Sequence, residues 1–188
     1  MSFGAGERQM PDQALGGDMR LFLTFWAVLA GMTVPTLASG PDDYIQRFFV
    51  RWVGGGEVKL SLNGSPWRVS CRLNPTGSEN AVTLSGACRL KFLFFLSNSI
   101  EAKLKYDAAS GAYSGTYVVD GGPPAILSGR RDGDVLTLNV RWPMPVNDHL
   151  DAVIKIFNDS RLFTLTTIDP IGIDGKAVVT SDLAFAAQ

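Results

Sequence analysis

The sequence predicts an all-β domain, an antiparallel up-and-down β-barrel of roughly eight to ten strands, with a β-sandwich as second choice. Three observations lead there. Apolar and polar residues alternate through almost every segment after residue 44, the period of a half-buried strand. Twenty glycines and ten prolines punctuate the alternation at short intervals. The segments are joined by hairpin-length links, and closing such a meander removes the exposed edges that invite aggregation.

Ahead of the strands, Leu21 to Ala38 is an apolar run, preceded by Arg20 and followed by Ser39-Gly40-Pro41-Asp42-Asp43. A basic flank, an apolar stretch and small residues at Thr36 and Ala38 describe a secretory signal cleaved after Ala38. The alternative is an uncleaved membrane anchor, against which Pro35 and the small-residue end speak. No cysteine follows the run, so a lipid anchor is not expected. Met1–Asp18 is a long, acid-containing leader, and Met19 is the more natural start. The expected organisation is a leader and signal over 1–38 and one β-domain over 39–188, located in the periplasm or secreted.

From Tyr44, Phe48, Val50 and Trp52 share one face, and Gly54-Gly55-Gly56 is expected to break or bend that strand. Val58, Leu60 and Leu62 follow, up to the hairpin signal Asn63-Gly64. Trp67, Val69, Cys71 and Leu73 then alternate with polar residues. After a loop read as Asn74–Asn80, Val82, Leu84, Gly86, Cys88 and Leu90 share a face. Setting Cys71 opposite Cys88 places Leu73 against Gly86 and Val69 against Leu90, and the register closes on the loop. Opposed residues of an antiparallel pair have the Cα separation a disulfide accepts, so a Cys71–Cys88 bridge is expected, with two separate buried thiols as its rival.

Ile100, Ala102, Leu104 and Tyr106 form the next face, and Tyr113, Gly115, Tyr117 and Val119 another. A short strand passes through Ile126 and Leu127. Leu136, Leu138, Val140 and Trp142 alternate up to Pro143-Met144-Pro145. Leu150, Ala152, Ile154 and Ile156, then Phe163–Ile168 and Ala177–Phe185, complete the series. No window shows a helical period. Leu84-Ser85-Gly86, Tyr113-Ser114-Gly115 and Leu127-Ser128-Gly129 each put glycine on an inward position, either to let the strand bend or to leave room for a ligand. Glu57, Lys59, Arg68, Arg72, Glu101, Lys103 and Lys105 line the opposite face, which is therefore wet and not the apolar band of an outer-membrane barrel.

Composition limits function. Of 17 basic and 18 acidic residues, two and three precede Ser39, leaving the expected mature chain neutral. Nucleic-acid binders carry a basic excess, and neutrality gives no attraction to an anionic membrane. The single histidine, His149, stands beside Asp148 and Asp151 and reads as a surface residue. One histidine and two bridged cysteines cannot assemble a zinc or Cys–His site. No nucleophile elbow or phosphate loop is present, and Asp132, Asp134, Asp169 and Asp174 fit turns. No catalytic residue, metal or cofactor is expected.

Phe92-Leu93-Phe94-Phe95-Leu96 departs from the alternation. It is either buried on both sides or an apolar lip or partner patch at a barrel mouth, with Phe92, Phe94 and Phe95 in contact with ligand or partner. Trp142-Pro143-Met144-Pro145-Val146 reads as a second apolar loop, adding Trp142 and Met144 to the candidate site. Val69-Ser70-Cys71-Arg72, Leu84–Arg89, Tyr113–Tyr117 and Leu127–Arg130 resemble a loose group of exported small β-barrel proteins of alphaproteobacteria, calycin- or lipocalin-like in shape. The two-cysteine hairpin is also similar to that of small periplasmic metalloprotease inhibitors, which block their protease with an extended N-terminal segment. Ser39–Asp43 occupies that place here. Two functions are therefore expected: binding of a small apolar or amphipathic ligand without catalysis, or interaction with an envelope protein such as a protease. A deep apolar cavity favours the first, a filled core with a free N-terminal arm the second.

Overall fold

A computed structural model describes residues 42–59, 61–91, 97–146, 149–170 and 175–188. The domain, within the compact unit Ala38–Gln188, is a closed barrel of ten antiparallel strands. After the short helix α1 (Asp43–Gln46) come β1 (Trp52–Val58), β2 (Trp67–Ser78), β3 (Ala81–Leu90), β4 (Ser97–Asp107) and β5 (Ala112–Val119). They continue as β6 (Ala125–Asp132), β7 (Val135–Val146), β8 (His149–Asn158), β9 (Leu162–Asp169) and β10 (Val178–Ala187). Each strand pairs with the next, and β1 closes on β10 from Trp52 opposite Ala187 to Val58 opposite Ser181. This is the expected up-and-down barrel.

The cysteine hairpin keeps the register read from the sequence: Cys71 faces Cys88, Leu73 faces Gly86 and Val69 faces Leu90. The disulfide is closed, with the two Cα atoms 4.1 Å apart. The loop is much tighter than expected, because β2 runs on to Ser78 and only Glu79 and Asn80 turn. Pro75 is tolerated there because β2 outruns β1 beyond Leu73. A strand without a neighbour on one side can spare an N–H donor.

Three further expectations are corrected. Tyr44 to Phe48 do not begin a strand: Asp42 caps α1 by accepting from the Ile45 N–H at 2.8 Å, and the first strand starts at Trp52. Of the break or bend expected at Gly54-Gly55-Gly56, the break is overturned: the three glycines lie inside β1, which ends at Val58, before Leu62. Trp142–Val146 is not a loop but the end of β7. The inward glycines prove to be positions of close approach. A Cβ added at Gly86, Gly115 or Gly129 would lie 1.9 Å from a carbonyl oxygen of the adjacent strand, so no other residue fits without moving the sheet.

Hairpin turns at Glu79–Asn80, 108–111, Gly133–Asp134 and 159–161 all fall at one end, and α1 lies across it. The Asp42 N–H donates to Asn80 Oδ1, Gln46 Nε2 to the Glu79 carbonyl, and Arg47 Nη1 to the Asn158 carbonyl. Tyr44, Ile45, Phe48 and Trp52 are fully buried beneath it. Phe163 packs edge-on against Phe48 and Trp52 and stacks on Phe185 at 4.6 Å. This end is filled.

Candidate functional site

Among the described residues, no layer like α1 covers the opposite end. Inward side chains of the strands enclose a cavity of about 590 Å³ that reaches from Leu73, Leu138, Ile156 and Phe163 to a mouth at Val58, Leu90, Val119 and Trp142. The lining is mostly aliphatic because inward positions along the strands carry Leu, Ile, Val and Ala. Its volume is in the range of small-molecule sites. A second hollow of about 430 Å³ crosses the outer surface of β1 and β2 over Gly54–Gly56, beside the Glu57–Arg68 ion pair. It is shallow, and no group converges on it.

Polar groups reach the cavity from two sides. On one, Tyr117 meets Trp142 edge-on at 6.3 Å. Burial, and then the nearby Asp120 carboxylate, raise the Tyr117 phenol above the ordinary tyrosine range. On the other, Lys59 follows β1, Thr167 and Asp169 end β9, and Thr180 and Ser181 begin β10; all five line the cavity. The pairing of β9 with β10 shifts between Val179 and Ser181. An extra residue in one strand turns two neighbours toward the same face, and here both Thr180 and Ser181 point inward. Ser181 Oγ donates to Thr167 Oγ1 at 2.6 Å, and Thr180 Oγ1 to the Thr167 carbonyl at 3.4 Å. The Lys59 N–H donates to the Thr180 carbonyl at 2.7 Å, tying the lysine to the bulge.

Of the residues expected at the site, Trp142 lines the cavity while Met144 is 64% exposed beyond it. Phe92, Phe94 and Phe95 lie outside the described residues; the strands they connect, β3 and β4, have their joined ends at the open side. His149 is half-buried opposite Val146, and the described residues contain no cluster able to hold a metal. Lys59, expected on the wet face, is corrected: β1 stops at Val58, so alternation no longer dictates its direction, and it is half-buried in the cavity wall. Asp169 is likewise not a turn residue but the buried last residue of β9, 4% exposed. Nothing in the alternation marked Thr180, since a bulge resets parity without a change in composition.

No family model matches the chain, and no curated protein matches it. Among solved structures, it is similar to the crystal structure of Rv2717c from M. tuberculosis, at 14% identity and a TM-score of 0.55. The match covers 79% of this chain and 99% of that one. What the two proteins share is the barrel fold.

Proposed function

We propose that this chain is a non-catalytic binding protein for a small apolar or amphipathic ligand, exported to the periplasm and taking its ligand into the open end of the barrel. The observation that carries the reading is the aliphatic cavity of about 590 Å³ beneath the Tyr117–Trp142 pair. A protein that needed only a stable barrel would fill that space, since unfilled apolar volume costs stability. For the inhibitor-like alternative, Ser39, Gly40 and Pro41 of the expected Ser39–Asp43 arm lie outside the described residues, and Asp42 is buried as the cap of α1 at the closed end. Export is supported by the apolar run ending at Ala38 and by the disulfide, which suits an oxidising compartment.

Native mass spectrometry of protein purified from its own periplasm tests both parts. The expected result is a chain beginning near Ser39 that carries an adduct lost on denaturation, and that takes up one equivalent of an apolar fluorescent probe once stripped. A stripped protein that takes up no probe overturns the binding reading. A soluble chain still carrying residues before Leu21 overturns the export reading.

A further inference from the structure

We propose that the β1–β9–β10 side of the mouth is a head-group site for an anion, which makes the ligand a single-chain amphiphile ending in a carboxylate. This rests on the cavity being a binding site and specifies what it selects. Three observations converge on that side. Lys59 is half-buried in the cavity wall, and none of the ion pairs among the described residues includes it. An ammonium on the rim of an apolar cavity is stabilised by an anion brought to it. Second, the β10 bulge turns two hydroxyls inward where regular alternation would supply one. Third, the hydroxyl chain ends in an available donor. Ser181 donates to Thr167 Oγ1, so the Thr167 proton is not used in that bond and can meet an incoming acceptor.

Asp169 stands on the same side and bears the opposite charge, so it must be weighed. It is 4% exposed and already has a partner of its own, whereas no ion pair among the described residues includes Lys59. The side opposite, at Tyr117, Val119 and Trp142, carries no charge among its lining groups. A ligand head therefore meets the lysine and one available hydroxyl proton, that of Thr167, on one wall, with apolar side chains beneath. Size limits the tail. At the roughly 30 Å³ a water occupies in the liquid, with a methylene of similar size, 590 Å³ holds about twenty such groups. That is room for one medium-length chain with its head.

The test is calorimetric titration of the full chain with dodecanoate, dodecanol and dodecyltrimethylammonium, each below its micellar concentration, in low and high salt. The expected order is dodecanoate tightest, with its advantage over dodecanol shrinking in salt. Lys59→Met, which keeps an apolar stem, should weaken dodecanoate at least about tenfold and leave dodecanol nearly unchanged. Lys59→Arg should recover most of the loss, and Thr167→Val should reproduce part of it, which guards against a folding defect in one variant. Equal binding of acid and alcohol, with Lys59→Met silent, overturns the head-group site while leaving the cavity a binding site. Preference for the ammonium overturns it in favour of Asp169. Binding of none of the three overturns the head-group site together with the binding reading beneath it.

Discussion

The two ends of the barrel are made from the same ten strands, and they differ in how they are packed. At the closed end Tyr44, Ile45, Phe48 and Trp52 have no solvent contact, and the polar atoms among them are paired. Tyr44 Oη donates to the Ile156 carbonyl at 2.9 Å, Tyr113 Oη to the Asp42 carboxylate at 2.9 and 3.0 Å, and Trp52 Nε1 to the Phe48 carbonyl at 3.1 Å. Outside them, Arg47 bonds both Asp43 and Asp134, and Arg131 bonds Asp43. The hydrogen bond from Arg131 is the largest influence holding the Asp43 carboxyl below its usual range. At the open end Trp67, Val119, Ile126, Met144 and Val179 expose between 37% and 64% of their surface, and near the closed end Val135 and Leu162 expose 37% and 40%. The Tyr117 hydroxyl makes no hydrogen bond to another described residue. One buried side-chain donor at the closed end, Asn158 Nδ2, has no partner among the described residues, so the ends differ chiefly in packing: an aromatic layer fills one, and an aliphatic cavity occupies the other.

The sharpest way to break this contrast is to truncate one aromatic residue at each end. Phe48→Ala should cost about 3–5 kcal/mol in urea unfolding, the range for deleting a core aromatic. Trp142→Ala should cost under about 1 kcal/mol yet weaken uptake of an apolar probe. Equal losses of stability from the two variants would show that the mouth is ordinary core.

Removing the disulfide addresses the wall between the ends. The bridge links residues 17 apart, and the double variant Cys71→Ala, Cys88→Ala should lose about 3 kcal/mol by freeing the unfolded chain. Thiol titration of the native protein should find no reactive cysteine. Since Cys88 borders the cavity, probe affinity is the sensitive second readout. If it falls as far as stability does, the wall between the ends deforms without the bridge, and the division between them is less strict.

The smallest effect comes from single hydroxyls. Tyr113→Phe removes a buried bond to a carboxylate and should cost roughly 1.5–3 kcal/mol, whereas Tyr117→Phe at the mouth should cost a few tenths. Burial, then the hydrogen bond to Asp42, raise the Tyr113 phenol well above its ordinary value of 10.0. A raised phenol means that the folded state retains the proton longer. Its contribution to stability is therefore complete below about pH 10 and declines as pH rises beyond the unfolded pKa. Unfolding measured from pH 8 to 11.5 should show that decline in the wild type and a shallower one in Tyr113→Phe. Identical slopes would mean that the closed end does not depend on the proton of Tyr113.

The sequence made the walls legible and left the two ends obscure, for a physical reason. Alternation reports which face of a regular strand is wet, so the Cys71–Cys88 register and the inward positions of Ile100–Tyr106 and Leu136–Trp142 could be read directly. The inward placement of Gly86, Gly115 and Gly129 was legible for the same reason, but their close approach to the neighbouring carbonyls was not. Asp42–Phe48 escaped because a four-residue helix is too short to show a period, while Phe48, Val50 and Trp52 happen to alternate. Lys59 and Asp169 escaped because they sit where strands stop and parity no longer constrains direction. Thr180 and Ser181 escaped because a bulge is a property of pairing, and one strand's composition does not reveal it. The site is assembled from these irregular positions.

Closure of β1 on β10 also sets the order of events when the chain is made. Trp52 pairs with Ala187, 135 residues later, and the Gln188 N–H donates to the Arg51 carbonyl at 2.9 Å. One edge of the first strand therefore stays unpaired until the tenth has been synthesised, however early the cysteine hairpin forms. Joining such distant segments is slow, and an open edge in the interval is a template for other chains. A polypeptide stalled before β10 is thus a nine-stranded sheet with two free edges, and the last ten strand residues decide whether the product is a closed barrel or a seed for aggregation.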